Sequence, residues 1–96
     1  MKTLFVVFVK TKEEDPVIMS MKKHYCFNTK EDIQKGDFIL TSNYKDYLWI
    51  DRVEDPYEFY NPITGAVSQE ASDGFYPIRE LVVGNINKIN CQIEDK

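Results

Sequence analysis

Few side chains in this 96-residue sequence are capable of chemistry, and their spacing decides what they can do. His24 and Cys26 stand two apart on a segment that reads as a strand, and Cys91 would join them if the last strand paired nearby. A zinc ion needs about four ligands, and no second Cys or His pair supplies the rest. The pair therefore reads as packing, and neither a metal nor any other cofactor is expected. A His-centred nucleophile would have to draw on Ser20, Ser42, Ser68, Ser72 or a cysteine, and none of these sits in a recognisable nucleophile turn. No constellation supports catalysis, so the expectation is a protein that is not an enzyme, with a metal-binding or catalytic role ranked last of three readings.

The carboxylates say more. Residues 51 to 80 hold seven acids against two arginines, so the acidity behind the net charge of −4 belongs to the middle of the chain. Within it, "DRVEDPYEFYNP" sets Asp51, Glu54, Asp55 and Glu58 beside Tyr57, Phe59 and Tyr60. Paired carboxylates can do acid-base work, but acid clusters on a surface loop are far more often solvated faces. Large aromatics inside an acidic rim are what protein interfaces use as anchors and steering charges. These seven residues are the expected partner-binding set, and the expected partner is a protein with a basic surface. The plainer reading folds Phe59 and Tyr60 back onto the scaffold as a lid.

Nucleic-acid binding ranks second. Lys10, Lys12, Lys22, Lys23, Lys30, Lys35 and Lys45 would form a stripe, with Tyr25, Tyr44 or Tyr47 stacking on bases. Against this, Glu13, Glu14, Asp15, Glu31, Asp32 and Asp46 are interleaved with those lysines and offset the charge that phosphate binding depends on.

The elements that must position these residues read as β. The length suits one domain, and 43% hydrophobic with 29% charged residues is an ordinary globular balance. An aromatic share of 14% with little Ala or Leu favours pleated, half-buried surfaces over helices. "TLFVVFVK" is a continuous apolar run, as in a strand covered on both faces. It is too short for a secretion signal and is followed at once by acids, no run approaches a membrane span, and two cysteines are too few for a disulfide framework, so a cytoplasmic protein is expected. Alternation from Val17 to Phe27 predicts a long second strand. Thr29 is a good helix N-cap, and Gly36 stops any helix within two turns. Ile33 is the one apolar anchor there, and Asp37 ties down the turn before "FILT" opens a third strand. "YLWIDRV" pairs with it as a hairpin. Residues 55 to 77 hold three of the four prolines, which predicts a long loop with a short hairpin around "PITGAV". "IRELVVG" suits a strand or a helical turn, and "INKINCQI" alternates through Ile89, Cys91 and Ile93.

The stretch "YCFNTKEDIQKGDFILT", Tyr25 to Thr41, resembles a pattern in small uncharacterised proteins of low-GC Gram-positive bacteria and their phages, where an aromatic strand, a Gly-Asp connector and a following strand open an SH3-like β-barrel. Tyr25, Phe27, Thr29, Asp32, Ile33, Gly36 and Asp37 carry the resemblance. It implies a fold and no activity. The full expectation is an all-β, single-domain, partly open SH3-like barrel of five to six antiparallel strands, with a short helical turn near 30–35 and a loop at 55–77. In function it is a non-enzymatic binding module, phage-encoded, engaging a host protein as a monomer or an edge-paired homodimer.

Overall fold

In a computed structural model, the structure describes residues 1–41 and 44–81 and the backbone of 87–88. It is mostly strand: β1 (Lys2–Val9), β2 (Tyr25–Thr29), β3 (Phe38–Leu40), β4 (Tyr47–Glu54), β5 (Phe59–Tyr60), β6 (Val67–Ser68), β7 (Tyr76–Pro77), β8 (Arg79–Glu80) and β9 (Asn87–Lys88), with one helix, α1 (Pro16–Ser20). The strands form two sheets and not a closed barrel, one of six strands in the order β8-β2-β1-β4-β3-β9 and one of three in the order β6-β5-β7. The all-β expectation stands.

β1 lies inside the larger sheet, between β2 and β4, which explains its unbroken apolar run. Side chains alternate across a strand, so β1 feeds two separate clusters. Leu4 and Val6 pack with Phe27, Ile33, Ile39, Leu48, Ile50 and Leu81 on one face. Val7 and Val9 pack with Trp49 and Met19 on the other. α1 exists to supply Met19, which is 1% exposed and closes that second cluster.

The long second strand expected from Val17 is therefore corrected. Asp15 accepts a hydrogen bond from the Val17 N–H at 2.8 Å and Pro16 occupies the first turn, an N-cap and N1 pair that starts a helix where alternation had suggested extended chain. The strand begins only at Tyr25.

The helical turn expected at 30–35 is absent. The Thr29 hydroxyl does accept from Glu31 N–H at 3.0 Å, but Ile33 N–H then bonds to Glu31 O at 3.0 Å, a tighter turn than a helix makes. Ile33 is buried as the anchor, and the Asp37 carboxylate accepts from Gln34 N–H at 3.0 Å. Gly36 donates to Ile50 O at 2.7 Å while Ile50 donates back to Asp37 O at 2.9 Å, so the connector is stitched to β4.

Two further corrections concern the middle of the chain. The 55–77 segment is no plain loop: it supplies all three strands of the smaller sheet, with β5 and β6 forming the hairpin expected around "PITGAV". Nor is every pairing antiparallel, because β8 runs parallel to β2, Phe27 opposite Arg79 and Asn28 opposite Glu80. The hairpin of β3 with β4 is present as expected. The alternation read through Ile89, Cys91 and Ile93 falls outside the described residues. Among the described residues no helix is long and apolar enough to cross a membrane.

Gly36 has φ +90°, and a Cβ built there would meet nothing within 4 Å. The cost of Gly36→Ala is thus one of backbone conformation alone, and urea unfolding should show a loss of about 1 to 2 kcal/mol.

Candidate functional site

Residues 55–58 leave β4 and are pinned to the larger sheet by side chains of β1 and β2. Thr3, 0% exposed, accepts from the Tyr57 N–H at 2.8 Å through the same hydroxyl that donates to Asn28 Oδ1. The Asn28 amide in turn donates to Tyr57 O at 2.9 Å. Two more bonds carry the chain back: Ile78 N–H to Glu58 O at 2.9 Å and Leu81 N–H to Asn28 O at 2.8 Å. Residues 76–81 thereby form one extended run that pairs first with β5 in the smaller sheet and then with β2 in the larger.

The seven residues grouped by the sequence do not come together in one place. A register shift between Phe5 and Val6 leaves Asp51 unopposed, a β-bulge in β4. The bulge moves Arg52 to the position opposite Phe5, with its guanidinium carbon 4.0 Å from the ring centre, and moves Val53 to the larger cluster. Asp51 meets His24, Oδ2 to Nε2 at 2.7 Å. Glu54 pairs with Arg52 at 2.9 Å, and Asp55 with Lys2 at 3.1 Å. Each of these three carboxylates already has a local cation or imidazole.

Glu58 differs. It lines a groove of about 720 Å³ with Pro56, Tyr57, Phe59, Ile78 and Glu80. Glu58 and Glu80 are both exposed, and among the described residues neither has an ion-pair partner and no lysine or arginine lines the groove, whose lining also includes Met1 and Asn28. Gln69 braces one wall by donating to Pro56 O at 2.7 Å.

Tyr60 faces elsewhere, into a second groove of about 480 Å³ that it shares with Phe8, Tyr25, Tyr44, Tyr76 and Arg79. Phe8 stands edge-on to Tyr25, with ring centres 5.2 Å apart, and lies 5.2 Å from Tyr44. Burial pushes the Tyr60 phenol upward, Cys26 and Tyr25 add to the push, Arg79 opposes it, and Tyr44 adds again. Of the three rings considered for stacking, Tyr25 and Tyr44 meet here. Tyr47 packs against Phe38 at the other cluster.

A third hollow, of about 250 Å³, brings Ser20, His24 and Asp51 within one wall. These are the residue types of a hydrolytic triad, but the hydrogen bonds are wrong for one. The Ser20 hydroxyl donates to Val17 O at 2.8 Å, and His24 spends Nδ1 on Lys22 O at 2.8 Å and Nε2 on Asp51. No ring nitrogen is left to take a proton from the serine.

Cys26 is buried on β2, and among the described residues no group of three or more His, Cys, Asp or Glu is arranged to hold a metal ion. Ser42 and Cys91 lie outside the described residues, while Ser68, whose hydroxyl donates to Glu70 O at 3.1 Å, and Ser72 do not line the hollow of His24. Burial pushes the Cys26 thiol from 9.0 up to about 12, with Arg52 opposing and Glu54 adding.

Sequence reasoning missed Tyr76, Arg79 and Glu80 as site residues. Their signal was the alternation in "YPIRE", but only the pairing with β5 and β2 shows which groove each faces. Comparison with known proteins finds no matching family model, curated relative or solved structure.

Two outcomes follow from these contacts. Thr3→Val strands the Tyr57 N–H and one Asn28 acceptor, and urea unfolding should register a loss of about 1 to 3 kcal/mol. With its pKa raised on folding, Cys26 favours the folded state fully below pH 9.0 and loses that contribution as pH climbs toward about 12. Iodoacetamide at pH 8, followed by peptide mapping, should find Cys26 nearly inert in the native protein and readily alkylated in urea.

Proposed function

We propose that this chain is a non-enzymatic binding module that takes a cationic segment of a partner protein into the acidic groove. The observation that carries the reading is that Glu58 and Glu80, neither with an ion-pair partner among the described residues, line one groove with Tyr57 and Phe59. An ammonium or guanidinium group gains from a carboxylate and from an aromatic face at once, and keeps its aliphatic stem against Pro56 and Ile78. Charges at such a rim set encounter rate and partner choice, while the aromatic wall supplies grip.

This narrows the partner-binding set expected from sequence to Tyr57, Glu58 and Phe59, joined by Glu80. Asp51, Glu54 and Asp55 serve the fold through their local pairs, and Tyr60 belongs to the other groove. An SH3-like kinship remains part of the proposal and rests on the resemblance over Tyr25 to Thr41 alone.

A fluorescently labelled hexa-arginine peptide is a sufficient probe. At low salt, Glu58→Gln with Glu80→Gln should weaken its binding about tenfold, whereas Asp51→Asn with Glu54→Gln and Asp55→Asn should change it less than threefold. Equal losses in the two sets, or no binding by the unaltered protein, would remove the proposal.

A further inference from the structure

The aromatic groove is chemically the inverse of the acidic one. Among the described residues no carboxylate lines it, its one charged lining side chain is Arg79, and Arg79 has no ion-pair partner. A second cation stands beside it, the Lys23 ammonium 5.2 Å from the centre of the Tyr25 ring. Four phenols reach the groove, from Tyr25, Tyr44, Tyr60 and Tyr76, and none of their hydroxyls has a hydrogen-bond partner among the described residues. No polar side-chain atom among the described residues is buried without a partner, so these hydroxyls are open to solvent or to a ligand. The charged and polar neighbours that act on the Tyr60 phenol, namely Cys26, Tyr25, Arg79 and Tyr44, likewise include no carboxylate.

Such walls select a ligand on three counts. Ring faces and edges favour a flat unsaturated group, five hydrogen-bond donors on Arg79 favour an oxyanion beside it, and free phenols suit a ligand rich in acceptors. A volume of about 480 Å³ admits one or two such units. We propose that the aromatic groove binds a nucleotide unit, its base against Tyr25 and Tyr76 and its phosphate on Arg79 and Lys23. The unit is either a free mononucleotide or part of an unpaired stretch of nucleic acid, since a duplex hides the base faces that these rings would meet. Of the lysine stripe considered from sequence only Lys23 is used, through its position beside the Tyr25 ring, and Arg79 lines the groove itself. The inference does not depend on the acidic groove.

The test uses the whole chain and a fluorescein-labelled octathymidylate at low salt, read by anisotropy, with unlabelled dTMP, inorganic phosphate and a blunt duplex as competitors. Arg79→Gln and Tyr76→Ala should each weaken binding about tenfold, and Arg79→Gln should also flatten the salt dependence by roughly 0.7 in log–log slope. Both residues are exposed on short strands, and circular dichroism checks that each variant folds. Glu58→Gln with Glu80→Gln should retain the affinity, which separates this site from the acidic groove. Competition by dTMP assigns the free nucleotide as a sufficient ligand; oligonucleotide binding without it assigns the strand. Failure of both to bind, competition by phosphate or duplex as strong as that of the single strand, or unchanged affinity in both variants would overturn the proposal.

Discussion

One buried hydroxyl organises the arrangement of the two sheets. Thr3 sits at the start of β1 with no exposed surface, where an unpaired polar atom would cost more than most single contacts return. Its oxygen answers that constraint twice, by donating to Asn28 and by accepting from the backbone of Tyr57. Asn28 repeats the link through its own amide and carries Leu81 on its carbonyl. Chain leaving β4 and chain returning at 81 are thus fixed to adjacent residues of β1 and β2. Between those two fixed points lie all three strands of the smaller sheet, and both larger grooves are spaces between that sheet and its support.

The opposite character of the grooves follows from strand geometry. Successive side chains along an extended run point to opposite sides. Along 77–80, Pro77 and Arg79 line the aromatic groove while Ile78 and Glu80 line the acidic one. Pro77 borders both, since it stands where the run passes from one sheet to the other. A single strand with alternating charge therefore divides two surfaces that would otherwise merge, and neighbouring residues of opposite sign do not neutralise one another because they face different solvent.

Much of the larger sheet was legible from residue pattern. The apolar run of β1 announces a strand covered on both sides, "FILT" and "YLWIDRV" announce a hairpin, and Gly36-Asp37 announces a fixed turn. α1 was not read, although Asp15-Pro16 carried a local signal for it: alternation in "VIMSMKK" competes with that signal, and a five-residue helix is too short to show its own period. The bulge at Asp51 was not legible, since register belongs to a pair of strands and not to either one. It inverts the facing of Arg52 and Val53 and turns Asp51 toward His24. For the same reason the acidic aromatic stretch read as one patch: closeness along the chain was taken for closeness in space, while alternation and the bulge sent five of its seven members to three separate hollows and left Glu54 and Asp55 in none.

The run from 76 to 81 also bears on how the molecule can be taken apart. Because β8 completes the edge of the large sheet immediately after β7 has completed the small one, no cut in the chain separates the two architectures cleanly. Excising the small sheet would cut the chain next to β8 and so loosen the parallel neighbour of β2 and the bond from Leu81 to Asn28. Transplanting it onto another scaffold would leave its last strand without an anchor. The two sheets share one uninterrupted run of chain, so a change that displaces one of them acts on the other.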